Sequence, residues 1–411
     1  LRLKRAAATA NVATGALDPK TGELIQRAAD QLLKEPEAKW PLHFPVDPYQ
    51  AGAGTSQNMN LNEVLANVAC SLAGSPLGTY APVHPNDHVN RSQSTNDTFP
   101  TAMRLALLDE SARLEFELCA LATSLRGKAK DWEAILKSAR THLQDAVPMR
   151  LGQEFGAYAR TAQRAADWVA SGRAALRELG IGGSAAGTGL NVPLEYPRAI
   201  VDELRALTGE DLRLAPDLVE AMQSQWPITT YSSMLRLGAV ELTRVCNDLR
   251  LLASGPATGL AELLLPAAQP GSSIMPGKVN PSVLEMTNQV LFAVIGRDQT
   301  VMMAAQAGQL ELNVMMPVMA RELLEASTIF GAAIKALRER CIDGMEPARE
   351  RLRKYFESTP QVATALSPLI GYEATAKLVQ DAVKMGRSVL ELALERKLAT
   401  AAQIQAIRES F

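Results

Sequence analysis

Residues 226–254 read WPITTYSSMLRLGAVELTRVCNDLRLLAS, and the spacing of their apolar positions decides the fold class. Apolar residues and one glycine recur at alternating intervals of three and four: Leu235, Gly238, Leu242, Val245, Leu249 and Leu252. This rhythm produces one stripe along a helix, as in long helical bundles. A helix of roughly 28 residues is about 42 Å long, at about 1.5 Å per residue. The stretch therefore predicts a long bundle helix.

Four other segments have helical periodicity, and strand-like alternation is scarce. We predict long helices at about 99–126, 150–178, 281–307 and 316–343. The last repeats the stripe with Met319, Leu323, Ala326, Phe330, Ala333 and Leu337. Neighbouring apolar residues such as Leu251 and Leu252 fall on different faces, which favours partner helices from other subunits over a monomeric bundle. The pattern predicts an all-α fold.

The predicted domains follow from where the long helices begin and end. A chain of 411 residues is expected to form two or three domains. Residues 1–95 mix short helices with loops, 96–346 hold the long helices, and 347–411 form compact helices. We predict an N-terminal domain, a central bundle domain and a small C-terminal domain with these bounds. Since the chain starts at Leu1 inside a predicted helix, we expect the N-terminal domain to be truncated.

Composition disfavours several classes of function. A formal net charge of -2 gives no electrostatic basis for binding nucleic acid or an anionic membrane. We find no apolar run long enough to span a bilayer and no secretory signal. The four cysteines lack paired spacing, which is typical of reduced thiols in the cytoplasm. His84 and His88 have the spacing of metal ligands on a helix, but Pro85 disfavours a helix between them, so we expect no metal site. We also expect no cofactor.

Residues 271–281, Gly-Ser-Ser-Ile-Met-Pro-Gly-Lys-Val-Asn-Pro, carry the most reactive groups. Their glycines and prolines predict a loop. Backbone N–H groups in such a bend can point at an anion, and Lys278 adds a positive charge. Ser272 is therefore a candidate base, because a hydroxyl in such an environment could be held as an alkoxide. A phosphate-binding loop is disfavoured by the five residues between Gly271 and Gly277. An ordinary surface loop is the other alternative.

A second glycine-rich segment invites a different interpretation. Residues 180–185 fit the loose dinucleotide-binding pattern G-x-G-x-x-A. That pattern has to follow a strand and open a helix, whereas here it follows a helical run with no βαβ unit. We predict no nucleotide site.

Four further segments are unusually polar: 52–60, 84–97, 141–148 and 187–191. Each alone is weak evidence, because Ser, Thr and Asn are common in caps and turns. Together with 271–281, in order and approximate spacing, they resemble the fumarase/aspartase superfamily, whose members release fumarate. The resemblance covers nearly the whole chain. It implies an all-α homotetramer whose central helices form one large bundle and whose active sites draw segments from three subunits.

The resemblance implies β-elimination on a small dicarboxylic acid. The proton to be removed lies beside a carboxylate, so preorganised donors have to stabilise a dianionic aci-carboxylate. We predict Ser272 as the general base, with His142 as the competitor and Glu285 as the partner of His142. The expected substrate-binding residues are Thr55, Ser94, Thr95, Asn96, Thr141, Ser273, Lys278 and Asn280.

The predicted roles of these residues differ. We expect Lys278, Asn280 and Thr141 to hold the carboxylate that takes up the charge. Hydroxyls of Thr55, Ser94, Thr95 and Ser273 would hold the other carboxylate. Asn96 and His142 would hold the leaving group.

The motifs favour ammonia over water as that leaving group. Residues 52–56, 94–97, 143–148 and 309–314 resemble aspartases, whereas 98–103 resembles fumarases. We expect elimination of ammonia from L-aspartate to give fumarate, with fumarate hydratase as the alternative. A purely structural role, as in lens proteins of this superfamily, is disfavoured because the catalytic residues are present.

Overall fold

The computed structural model describes residues 1–50 and 52–410, the last three by backbone only, and helices dominate it. In chain order the α-helices are α1 Arg2–Ala13, α2 Pro19–Lys34, α3 Trp40–His43, α4 Thr55–Leu72, α5 Thr95–Asp131, α6 Leu151–Leu176, α7 Tyr196–Thr208, α8 Leu218–Gln223, α9 Trp226–Leu252, α10 Ser282–Gln306, α11 Met316–Leu337, α12 Arg349–Ser358, α13 Ser367–Ile370, α14 Tyr372–Met385, α15 Val389–Glu395 and α16 Ala401–Ser410. Short 3-10 turns occupy Glu37–Lys39, Gly52–Gly54 and Pro360–Leu366, and π-turns occupy Pro85–Val89 and Arg338–Ile342. The prediction of an all-α fold is confirmed.

Among residues 1–50 and 52–410, the strands are short and form three separate pairs. They are β1 Leu136–Thr141, β2 Gln144–Arg150, β3 Glu178–Leu179, β4 Arg213–Leu214, β5 Leu263–Leu264 and β6 Glu346–Pro347. β1 pairs with β2 and β5 with β6 in antiparallel fashion, while β3 and β4 are parallel. Within the part of the chain that the structure describes, only β1 and β2 are longer than two residues, and they form a hairpin that turns at His142.

The helical stripes predict burial correctly. In α9, Leu249 is fully buried and Leu252 is 6% exposed, whereas Leu251 between them is 42% exposed. In α11 every position of the stripe from Met319 to Leu337 is buried. The heptad rhythm therefore marks the face that packs inside the chain, and other apolar side chains of the long helices are left outside it.

Helix α5 begins four residues before the predicted start. The Ser94 Oγ accepts from the Asn96 N–H at 3.2 Å, and Asp97 Oδ1 accepts from the Ser94 N–H at 2.9 Å. This reciprocal pair is a capping box, which satisfies amides that a helix start leaves unpaired. Pro100 is the sixth residue of α5, so the helix lacks one backbone hydrogen bond there, to the Asn96 carbonyl.

The chain divides into two compact units. The first contains Leu1–Phe116, Ala165–Ala239 and Phe292–Gly331, and the second contains the other described residues. Helices α5, α6, α9, α10 and α11 each supply residues to both units. The division into domains at 95 and 346 stays a prediction.

Each unit has its own apolar cluster besides the long helices. In the first unit, α1, α2 and α4 bury residues such as Ile25, Leu32 and Leu65. In the second unit, the C-terminal helices bury residues such as Leu366 and Leu392. Among the described residues, no helix has the length and apolar character that crossing a bilayer requires.

The buried stripe of α9 yields a stability prediction. We expect Leu249→Ala to lower the free energy of unfolding by about 2–5 kcal/mol, because it removes fully buried methyl groups and leaves a cavity. Leu42→Ala is the control, since Leu42 is 83% exposed, and a change within about 0.5 kcal/mol is expected there. Urea unfolding followed by circular dichroism measures both. Equal effects of the two substitutions would contradict the assignment of the stripe to the core.

Candidate active site

The predicted site residues fall into two groups, each within one unit. The first unit contains Thr55, Ser94, Thr95 and Asn96. The second unit contains Thr141, His142, Ser272, Ser273, Lys278, Asn280 and Glu285.

The first group lies where the N-termini of two helices meet. Thr55 is the first residue of α4 and Thr95 is the first residue of α5. The Asn58 side-chain amide of α4 donates to the Thr95 hydroxyl at 3.1 Å, so the two helix starts are adjacent. Gly54 permits this approach, because a Cβ there would lie 2.3 Å from the Phe99 ring. Two helix N-termini with hydroxyls beside them form a favourable site for a carboxylate.

A buried polar network fixes the two helix starts. The Asn90 Oδ1 accepts from Lys4 Nζ at 3.1 Å, Asn58 Nδ2 at 3.2 Å and Asn62 Nδ2 at 3.1 Å. Lys4 is 1% exposed, and burial lowers the pKa of its ammonium group to about 7, opposed by the charge of Asp97. Because these groups are paired inside the protein, the network holds α4 and α5 in one arrangement.

Asp97 joins the start of α5 to the glycine-rich segment 180–185. Its carboxylate is fully buried and accepts from the backbone N–H groups of Ser94, Gly182 and Ser184 at 2.9, 3.0 and 3.0 Å. Burial raises the pKa of this carboxyl to about 6, and the three amides act in the opposite direction. The amides of the dinucleotide-like pattern therefore bind a carboxylate of the protein itself.

The side chains of the first group have partners inside the chain. The Asn96 side-chain amide donates to the Ala185 carbonyl at 2.8 Å, and the Thr55 hydroxyl donates to the Gly52 carbonyl at 3.0 Å. Asn96 is thus held against the segment that Asp97 binds. The Thr55 side chain is exposed and lies open to a ligand.

The serine loop, residues 271–281, contains no helix or strand among its described residues, as predicted. The Ser272 Oγ accepts from the backbone N–H groups of Ile274 at 3.2 Å and Met275 at 2.9 Å. The Asn280 side-chain amide donates to the Gly271 carbonyl at 2.7 Å and closes the loop at its base. Two N–H donors on one hydroxyl oxygen would stabilise negative charge there. Such contacts also occur in ordinary serine turns.

Most of the serine loop is exposed. Ile274 is 84% exposed, and Ser273 and Lys278 are exposed as well. Two glycines allow its shape: a Cβ on Gly271 would lie 2.0 Å from the Lys278 carbonyl oxygen, and Gly277 has a φ of +79°. The loop therefore leaves the side chains of Ser273 and Lys278 exposed, whereas Ser272 is half-buried.

Thr141 and His142 lie at the tip of the hairpin formed by β1 and β2. Thr141 pairs with Gln144, which leaves His142 and Leu143 as a two-residue turn. Both turn residues have positive φ, +55° and +59°, as a type I′ turn requires. Glycine and asparagine usually occupy such positions, so a histidine and a leucine are strained there. Strain at exposed side chains is consistent with a functional tip.

Glu285 contacts a residue that the sequence had not suggested. Glu285 lies in the first turn of α10, and its Oε1 is 3.7 Å from Arg250 Nη2. A pairing of Glu285 with His142 stays a prediction. No group of three or more His, Cys, Asp or Glu side chains among residues 1–50 and 52–407 could hold a metal ion.

Sequence reasoning missed several residues that organise the first group. Asp97 was visible only as part of a polar segment, although Ser94-x-x-Asp97 has the spacing of a capping box. Asn58 and Asn90 were likewise visible only as members of the polar segments 52–60 and 84–97, and Lys4 carried no signal, because its contacts join residues distant in the sequence. These four residues fix the position of the predicted site residues, although they were not themselves predicted as site residues.

Comparisons with known families and proteins agree with the fold and place the chain among lyases. Residues 2–296 match the family described as lyase, and residues 362–409 match the family described as fumarase C C-terminus. The aspartate ammonia-lyase of Helicobacter pylori is 45% identical over 406 residues, covering 99% of this chain and 86% of that protein. The aspartate ammonia-lyase of Bacillus subtilis is 44% identical over 409 residues, covering 100% of this chain and 86% of that protein.

Solved structures give the same fold. The fumarate lyase:delta crystallin of Brucella melitensis bound to cobalt has a TM-score of 0.95 at 43% identity, covering 100% of this chain and 89% of that one. A recombinant class II fumarase from Schistosoma mansoni has a TM-score of 0.90 at 35% identity, covering 99% of this chain and 88% of that one. The fold is therefore shared by proteins named as a fumarate lyase:delta crystallin and as a class II fumarase.

Proposed function

This chain belongs to the fumarase/aspartase lyase family, and we propose that it catalyses the reversible elimination of ammonia from L-aspartate to give fumarate. One observation carries the proposal: the Ser272 hydroxyl oxygen accepts hydrogen bonds from two backbone N–H groups, in the loop that also contains Lys278. The relatives named aspartate ammonia-lyase, at 44–45% identity over nearly the whole chain, support ammonia as the leaving group.

The proposed reaction begins with proton removal by Ser272. A free serine hydroxyl is far too weak a base at neutral pH. The N–H groups of Ile274 and Met275, together with the charge of Lys278, would stabilise its alkoxide and lower its pKa. The proton leaves the carbon beside the carboxylate that becomes the aci-carboxylate. In this proposal Lys278, Asn280 and Thr141 stabilise the negative charge that develops there.

The remaining groups would bind the other end of the substrate. The adjacent N-termini of α4 and α5, with the hydroxyls of Thr55, Ser94 and Thr95, suit the second carboxylate. Asn96 and His142 would bind the amino group that leaves as ammonia, and Glu285 would orient His142. The base and both carboxylate sites then belong to one reaction that needs only side chains and backbone amides of the protein.

We propose that the enzyme is a cytoplasmic homotetramer with active sites completed by neighbouring chains. The exposure of the hairpin tip and of the serine loop supports this arrangement, since a single chain leaves both open. Exposed apolar side chains on α10 support it too: Phe292 is 55% exposed and Met303 is 61% exposed. Side chains of this kind on long helices are suited to a helical interface.

The experiment that tests the function follows fumarate by its ultraviolet absorbance, with and without ammonium, and identifies the product. We expect loss of fumarate only with ammonium, and aspartate as the product. Loss without ammonium, with malate as the product, would replace the ammonia-lyase by a hydratase. No loss under either condition would contradict both activities.

A further inference from the structure

A buried cluster of charges holds the hairpin that carries Thr141 and His142. Glu262 is fully buried, and its two carboxylate oxygens lie 3.0 Å from Lys137 Nζ and 2.6 Å from Arg140 Nη1. Lys137 Nζ also lies 2.6 Å from Glu154 Oε2 and is 2% exposed. Lys137 and Arg140 both belong to β1, so one carboxylate contacts the strand at two points.

Net stability is a poor explanation for such a cluster. Removing charges from water costs free energy that their attraction often fails to recover, and apolar replacements are frequently at least as stable. The cluster instead fixes the position of β1, because a buried carboxylate tolerates few positions of the cations around it.

Glu262 itself is fixed by its backbone. Its N–H donates to the Leu252 carbonyl at the end of α9 at 2.8 Å, and its carbonyl accepts from the Ala348 N–H at 2.9 Å. It stands immediately before β5, on the segment that continues to the serine loop. The carboxylate is therefore presented from a rigid point of the second unit.

Arg140 transmits this rigidity to the hairpin tip. It directly precedes Thr141 and His142, and its guanidinium also lies over the Tyr355 ring, 5.4 Å from the centroid. Arg351 lies over the same ring at 5.0 Å and donates to the Gly259 carbonyl at 3.0 Å. The residues beyond Arg140, from Thr141 to Asp145, are exposed. The anchors next to the tip are thus the carboxylate of Glu262 and the ring of Tyr355.

We propose that Glu262 is a positioning residue, which sets the place of Thr141 and His142 through its contacts with Lys137 and Arg140. The kinetic part of this inference rests on the proposed lyase function, whereas the structural part does not. Glu262 touches neither substrate nor reacting atoms in this scheme. Its effect on the reaction passes through the hairpin tip.

The test replaces Glu262 by glutamine and measures two independent quantities. Hydrogen exchange of the amides of residues 136–150, read by mass spectrometry, is expected to become about tenfold faster or more, because exchange follows the loss of local stability. The turnover number kcat for aspartate is expected to fall by about 10–100-fold, since a displacement of about 1 Å of an aligned group can cost that much. KM should change less than kcat.

Arg338→Gln is the matched control for general destabilisation. Arg338 is a partly buried cation of the same unit, paired with Glu117 at 3.4 Å and distant in sequence from the hairpin. We expect it to lower the melting temperature while leaving exchange in 136–150 and kcat within about twofold of the wild type. Equal hairpin exchange in Glu262→Gln and Arg338→Gln would overturn the proposal.

A double-mutant comparison separates positioning from a structural role. In a His142→Asn background the tip no longer carries its functional histidine, so Glu262→Gln should cost much less of the residual activity than it costs in the wild type. Equal losses in both backgrounds would overturn the kinetic part. Where Glu262→Gln does not fold, Arg140→Gln replaces it, with Arg140→Lys expected to restore part of the activity.

Failure of the proposed function has a different signature. A wild type that does not convert aspartate or fumarate contradicts the lyase proposal, and exchange in 136–150 still decides whether Glu262 holds the hairpin. A wild type that is active, with normal hairpin exchange and kcat in Glu262→Gln, contradicts the positioning role alone.

Discussion

The Ser272→Ala variant is expected to lose turnover by about 10²–10⁴-fold, the range that general base catalysis contributes. In the wild type, the Ser272 hydroxyl oxygen accepts hydrogen bonds from the backbone N–H groups of Ile274 and Met275. These two donors would stabilise a negative charge on that oxygen. Substrate binding should be largely kept, because in the proposed mechanism other groups hold the two carboxylates of the substrate. Steady-state kinetics with aspartate, together with calorimetric binding of a non-reacting dicarboxylate, measures the two effects separately.

Ser273→Ala is the informative comparison for this variant. Ser273 is the exposed neighbour in the same loop, and we expect its loss to raise KM more than it lowers kcat, since its predicted role is binding. Near-normal turnover of Ser272→Ala would remove serine as the base. The corresponding His142→Asn variant then shows whether histidine takes that role.

How far the sequence predicts this molecule depends on the distance over which each feature is encoded. The long helices are predicted well because a stripe such as Leu249 and Leu252 repeats within one element, and burial follows from that repeat. The serine loop is predicted for a similar reason, since Gly271 and Gly277 act on the backbone locally. Local periodicity and turn chemistry thus account for most of the fold.

For the candidate site, the sequence predicts which residues take part but not the long-range contacts that hold them in place. The motifs predict Ser272 and His142 as site residues, but the carboxylates that hold the surrounding segments have partners far away in the chain. Glu262 stands alone between apolar residues, and its cations on β1 lie more than a hundred residues earlier. The sequence did not predict the hairpin either, because its strands are short and its turn contains residues that rarely have positive φ.

The glycine-rich segment 180–185 illustrates the same limit. Its pattern by itself is compatible with binding a phosphate, and only the structure identifies the anion as Asp97. Backbone N–H groups in a tight bend bind whichever anion the fold brings to them. The ligand of such a segment is a property of tertiary structure, so the pattern alone is ambiguous.

Asp97→Asn is expected to have the second large effect. The fully buried carboxylate accepts from the N–H groups of Ser94, Gly182 and Ser184, whereas an asparagine would direct its own NH₂ group at one or more of these donors. Each buried donor left unsatisfied costs about 1–3 kcal/mol, and Lys4 loses a nearby opposite charge. We expect a loss of about 3 kcal/mol or more in the free energy of unfolding.

The activity of Asp97→Asn should fall as well, because Asp97 sets both the start of α5 and the segment that holds Asn96. KM for aspartate is expected to rise about tenfold or more, because the proposed carboxylate site at Thr95 and Ser94 would lose its alignment. Asp202→Asn is the control, since Asp202 belongs to an exposed pair with Arg205 at 3.1 Å and should change stability by less than about 0.5 kcal/mol. Thermal melting and steady-state kinetics of the two variants decide the matter. An Asp97→Asn protein as stable and as active as Asp202→Asn would mean that water or a backbone shift satisfies the three amides, and that the start of α5 is held by the Asn58 and Asn90 network alone.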